Sequence, residues 1–178
     1  MDLSGAFPKL TDADSVYAIK EYSERMFTEL DKMPRGLIGR SNLNGSTAGI
    51  GAASVMVDLV AVPLVAGRWY KVEYVLTTVA GGPNDAIAYD FKKSAVNDSS
   101  AVNDSSAAGT SLNDGTQRYI YTGPAAGNSK TEVIRTVFKA PSNETQVIKA
   151  ILARATGSVA FTANSRGLYV FDMGTTAL

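Results

Sequence analysis

Residues 68–79 read RWYKVEYVLTTV. Laid out as an extended chain, Tyr70, Val72, Tyr74 and Leu76 share one face, and Lys71 and Glu73 fall on the other. Period-two alternation of aromatic and β-branched residues with charged ones marks a strand with one face buried and one in water. The same texture continues on both sides. Upstream lie a short apolar piece at 37–40 and the alternation of Val55, Val57 and Leu59 with Met56 and Asp58. Downstream come AIAYDF (86–91), QRYIYT (117–122), EVIRTVF (132–138), TQVIKAILA (145–153), VAFTA (159–163) and GLYVFD (167–172). Turn-forming clusters separate them: AGG at 80–82, PND at 83–85, NDG at 113–115, GPAAGNS at 123–129 and APSNE at 140–144. Eight or nine short strands at this spacing predict an all-β fold, an antiparallel sandwich or jelly roll.

One helix precedes the strands. Residues 11–33 carry Val16, Ile19, Met26, Leu30 and Met33 at three-then-four spacing, with Ser23 in the one polar seam position. Tyr22 and Phe27 widen the stripe. Thr11 followed by Asp14 has the form of an N-terminal capping box, Asp12 and Asp14 suit the positive end of the helix dipole, and Pro34 stops the helix. Such a stripe fits a helix packed on its own domain and equally a short coiled coil shared between subunits.

The whole chain has 178 residues, 45% hydrophobic, with 17 basic and 17 acidic residues and no formal net charge. This is one globular domain with a small appendage. It lacks the basic surplus of a charge-driven nucleic-acid binder. Histidine and cysteine are both absent, which removes Ser-His-Asp triads, imidazole bases, thiol nucleophiles, thiolate zinc sites and disulfides. Carboxylate pairs, a perturbed lysine or an oxygen-ligated cation are the chemistry left, and no acid pair stands out. MDLSGAFPKL has no basic and apolar leader pattern, and the apolar run at 54–67 holds Asp58 and Pro63, so neither secretion nor membrane insertion is expected.

Three local motifs give way to plainer readings. GPAAGNSKT (123–131) lacks the Gly-Lys-Ser/Thr junction of a phosphate loop and reads as a hairpin connection. Asn44, Asn97, Asn103 and Asn143 each start an N-x-S/T triplet, which matters only in a secretory pathway. Asp90, Asp98, Asp104 and Asp114 fall in or beside a polar stretch but lack calcium-loop spacing. No metal, cofactor or catalytic residue is assigned. Within that stretch AVNDSSAVNDSS (95–106) is one hexad written twice. Two copies are too few for a solenoid, and lengthening a loop is cheap, ~0.6 kcal/mol per doubling. It reads as a duplication tolerated at a loop tip.

Three blocks resemble a family of small tail-associated virion proteins of bacteriophages, common among phages of actinobacteria. These are MPRGLIGR (33–40), AGRWYKV (66–72) and RATGSVAFTANSRGLYVFDMG (154–174). The resemblance implies a jelly roll of the tumour-necrosis-factor/C1q type at 35–178, a homotrimer carried on a tail fibre or other virion appendage. Residues 11–34 would then be a trimerisation stalk with Val16, Ile19, Met26, Leu30 and Met33 as its seam. Residues 1–10 would dock on neighbouring tail or capsid proteins. The expected function is structural and non-enzymatic, with loops 80–85 and 92–116 facing outward, toward a host-surface glycan in an attachment role. Two other readings fit the same residues: a capsid fibre or decoration protein, and a carbohydrate-binding module with Trp69 exposed beside Tyr70, Tyr119 and Tyr121. A glycan-cleaving enzyme is a further class, which turnover on cell-wall polysaccharide would establish.

Overall fold

A computed structural model describes residues 16–43, 46–79, 81–82, 86–95, 109–113, 118–121, 127, 129–157 and 160–175. Helix α1 (Val16–Lys32) is followed by β1 (Gly36–Leu43), β2 (Val55–Leu64), β3 (Trp69–Val79), β4 (Ala86–Ala95) and β5 (Thr110–Ser111). Then come β6 (Arg118–Tyr121), β7 (Ser129–Lys139), β8 (Glu144–Arg154) and β9 (Thr162–Gly174). The predicted cap at Thr11 and Asp14 lies outside the described residues, as does most of the duplicated hexad.

The strands form two antiparallel sheets. One has the order β1-β9-β3-β7; the other has β2-β8-β4-β5, with β6 also pairing β4. The chain changes sheet between β1 and β2, β2 and β3, β3 and β4, β6 and β7, β7 and β8, and β8 and β9. Crossing over at so many steps is what makes a jelly roll rather than a meander, and the predicted fold class stands.

Strand β3 behaves as its sequence predicts. Tyr70, Val72, Tyr74 and Leu76 are all completely buried, and the odd-numbered residues from Trp69 to Val79 face outward. They meet Ile87, Phe91, Ile148, Leu152, Leu168 and Val170 in one continuous core. Burying each such side chain contributes roughly 1.5–3 kcal/mol, so this inter-sheet layer holds the sandwich together.

Two readings of the strands need correcting. VAFTA and GLYVFD are not separate strands. From Thr162 they are one long strand, β9, bent where Ser165 takes a positive φ of 42° and an extra residue enters opposite Leu76. Alternation in β2 also breaks. Met56 pairs with Ile151 and Asp58 with Ala150, so Val57 is the extra residue of a bulge. Beyond it Val62 and Leu64 face the core, and Asp58 turns inward with them.

The two ends of the sandwich differ. Strand β1 starts, β3 starts and β9 finishes at the end where the helix joins. The opposite end is laced by main-chain bonds from Ile50 to Phe161, Arg154 to Gly51 and Ala155 to Ala86. The 80–85 connection leaves β3 at this remote end. The β4–β5 connection, which includes the duplicated hexad, leaves at the helix end, because Ala95 pairs with Gln146 near the start of β8.

Candidate functional site at the helix base

The turn before β3 is set by Gly67, whose φ of +80° suits glycine. Gly67 N donates to Ala140 O at 2.8 Å, and Ala140 N returns a bond to Arg68 O at 3.0 Å. Ala66 N donates to Asn143 Oδ1 at 2.7 Å. The side-chain oxygen of that N-x-S/T asparagine is therefore in structural use. Tied down in this way, the turn sends the Arg68 side chain inward.

Arg68 is 1% exposed and Asp172, on β9, is 2% exposed. Arg68 Nε donates to both Asp172 oxygens, at 2.8 and 3.0 Å. The other two guanidinium nitrogens reach the end of α1: Nη1 donates to Asp31 O, and Nη2 to Met33 O at 2.5 Å. Thr175 N donates to the carbonyl between them, Lys32 O, at 3.1 Å. The last carbonyls of a helix have no partners within it and carry its negative pole. Here three in a row are capped, two of them by a cation.

Asp172 also accepts a bond from Gly174 N at 2.8 Å, so the carboxylate holds both the arginine and the chain that follows it. Gly174 adopts a φ of +89°, and a Cβ there would clash with Lys32 O and the Met33–Pro34 backbone. The junction thus combines Met33 from 33–40, Arg68 from 66–72, and Asp172 and Gly174 from 154–174. The three sequence blocks, far apart along the chain, converge at one point.

Beyond this clamp the helix is largely uncovered. Ile19 is 46%, Leu30 50% and Phe27 66% exposed, while Met26 and Met33 are partly buried. The Val16 side chain lies outside the described residues. Ser23 Oγ donates to Ile19 O at 2.9 Å, so the polar seam position is satisfied within the helix. The remaining surface carries ion pairs one turn apart, Glu21–Arg25 at 3.0 Å and Asp31–Arg35 at 2.6 Å among them. Along the stripe, Ile19, Phe27 and Leu30 are therefore not covered by the strands of the same chain.

The aromatic residues do not gather into one platform. Trp69 is half-buried on the outer face of the first sheet, with Lys139 Nζ 5.9 Å from its ring centre. Phe171 lies on the same face under Lys71 Nζ at 4.7 Å. Tyr70 is in the core, stacked on Phe138, and Tyr119 is exposed on the second sheet. The Tyr121 side chain lies outside the described residues.

Other motifs resolve locally. Asp90 Oδ1 accepts Ser111 Oγ at 2.7 Å and Asn113 Nδ2 at 3.2 Å, while Asp98, Asp104 and Asp114 lie outside the described residues. Among the described residues no three acids cluster to hold a metal, and no helix is long and apolar enough to cross a membrane. Ser129, Lys130 and Thr131 open strand β7, not a helix.

No protein-family model and no curated protein matches the sequence. A solved viral capsid structure does share its fold. The VP2 subviral particle of infectious bursal disease virus superposes with a TM-score of 0.50 at 10% identity, over 79% of this chain and 33% of VP2. The chain therefore spans about a third of that capsid protein. The CBM22-1 xylan-binding domain of Paenibacillus barcinonensis Xyn10C gives 0.34 at 8% identity, over 78% of this chain and 88% of that one. CBM35 of Cellvibrio japonicus Abf62 gives 0.31 at 12%, over 75% and 85%. The likeness to VP2 establishes a fold also used by a viral capsid protein.

Proposed function

We propose that this chain is a non-enzymatic structural subunit of a bacteriophage particle, a homotrimeric tail appendage. A parallel three-helix stalk formed by α1 would hold three jelly-roll heads. One observation carries the reading: α1 is locked at its base by Arg68, Asp172 and Gly174, yet Ile19 and Leu30 of its heptad seam, with Phe27 beside them, are left exposed. A helix fixed at one end and apolar along one stripe has most of its stabilisation still to gain by burial. Position a is filled by Val16, Ser23 and Leu30 and position d by Ile19, Met26 and Met33. Tyr22 and Phe27 flank the seam at g and e, giving a stripe wider than two helices cover and suited to three.

The head would then work by adhesion. Its end remote from the stalk, where residues 46–54, 81–82, 86, 154–157 and 160–161 lie, faces outward, and three copies presented together bind a repetitive host surface with avidity. Of the two loops expected outward, the 80–85 connection departs from the β3 end on that side, while the 92–116 connection departs from the β4 end on the stalk side. The segment before the helix docks on the particle.

Light scattering tests the assembly on the full-length chain and on Ile19→Glu/Leu30→Glu. The expected result is three times the 18.7 kDa chain mass for the wild type and one chain mass for the variant. A monomeric wild type sinks the trimer. A trimer in both moves assembly to the sheets and removes the stalk. Antibody labelling of purified particles should decorate tail appendages; label spread over the shell would make the chain a capsid fibre instead.

A further inference from the structure

The core between the sheets contains a carboxylate. Asp58 is 3% exposed, and its inward direction is the work of the β2 bulge, which pairs it with the core residue Ala150. Bulges are a standard means of re-aiming one side chain within a sheet. Across the interior it meets the other sheet. Ser41 Oγ on β1 donates to Asp58 Oδ1 at 2.5 Å, and Leu59 N donates to the same oxygen at 2.9 Å.

Among the described residues Asp58 Oδ2 has no hydrogen-bond partner, and neither has the hydroxyl of Tyr74 on β3, a fully buried side chain. Arg166 on β9 is the cation that acts on both, its Nη1 bonded to Ala163 O at 2.9 Å. Strand β8 brings only the apolar Ile148, Ala150 and Leu152 to this face, because Lys149 and Ile151 alternate to the other side of the sheet. The groups facing Asp58 are thus Ser41 from β1, Tyr74 from β3 and Arg166 from β9. A buried oxygen without a donor is a standing penalty in each state that leaves it so.

We propose that Asp58 is a proton-operated lock between the two sheets: ionised, it strains the sandwich, and protonated it tightens it. A proton on Oδ2 removes the buried charge and converts an unpartnered acceptor into a donor. Burial pushes the Asp58 carboxyl above its ordinary value, against the opposing pull of the Ser41 and Leu59 hydrogen bonds and of Arg166. Burial likewise holds the Tyr74 phenol neutral, with the Asp58 charge adding to the effect. The folded chain therefore binds this proton more tightly than the unfolded chain. The resulting stabilisation is full below the unfolded aspartate value of about 3.9 and disappears as pH rises through the folded one.

Urea unfolding of the full chain and of Asp58→Asn, from about pH 8 to about pH 4, tests the lock. Asparagine keeps an oxygen for Ser41 and Leu59 and cannot ionise, and every other titrating group cancels in the comparison. The expected variant unfolds at higher urea than the wild type at the alkaline end, and the gap closes toward the acid end. A constant gap, or one that widens in acid, overturns the proposal. Carboxyl ¹³C NMR on the wild type decides independently should the variant fail to fold. An Asp58 midpoint clearly above about 3.9 upholds the lock, and one at or below that value refutes it.

Discussion

Replacing Arg68 with methionine isolates the junction. The change keeps most of the side-chain volume and removes all five donors. Asp172, 2% exposed in the native chain, would keep Gly174 N as its donor from the clamp. Removing one member of a buried ion pair typically costs about 3–5 kcal/mol, because the surviving charge is stranded. The carbonyls of Asp31 and Met33 also lose a donor; Asp31 is exposed and Met33 partly buried, so water replaces part of what is lost and the two together add about 1 kcal/mol. Out of a total stability of about 5–15 kcal/mol this is a large loss. Trp69, the single tryptophan and the next residue in sequence, reports unfolding by fluorescence in urea. Arg68→Met/Asp172→Met removes both charges together and should recover at least about 2 kcal/mol relative to the sum of the single variants. A single variant that loses less than about 1 kcal/mol, or a double variant that is simply additive, would refute the buried-pair reasoning.

Gly174→Ala tests the other half of the clamp: with positive φ and no room above Lys32 O, it should lose about 1–3 kcal/mol, read as a lower urea midpoint. An unchanged midpoint would mean that the helix end does not sit against β9. Gly39→Val probes β1, where an added Cβ meets Val62 Cγ1 from the opposite sheet. Overpacking there should cost about 1–3 kcal/mol, and a neutral result on thermal melting would place β1 farther from β2 than described.

The legibility of the sequence varied with the range of the forces involved. In β3 each side chain's fate depends on its own polarity and on strand geometry, so Tyr70, Val72, Tyr74 and Leu76 could be placed in the core directly. In β2 the same reasoning put Asp58 outside. A bulge shifts the face of every residue after it, and nothing local in VMVDLVAV announces the inserted residue. The split of β9 into VAFTA and GLYVFD erred for a related reason. Asn164, Ser165 and Arg166 are polar and separate the two apolar stretches, yet pairing with β1 and β3 carries the strand through them. The junction was legible only as fragments. Pro-Arg-Gly, Ala-Gly-Arg and the closing Asp-Met-Gly each stood out, but no spacing rule connects Arg68 to Asp172 across 104 positions.

By itself the sequence determined the class of the protein. Alternating strands, one amphipathic helix and the absence of histidine and cysteine follow from residue types and short periodicities, which act over a few ångströms of chain. The tertiary structure decided what those parts do. It brought Arg68, Asp172 and Gly174 under the end of α1, left Ile19 and Leu30 uncovered, and turned Asp58 into the core. These outcomes depend on which strands become neighbours and in what register. Pairing is a long-range competition that minimises exposed apolar area over the whole chain, so it is written in no single stretch of it.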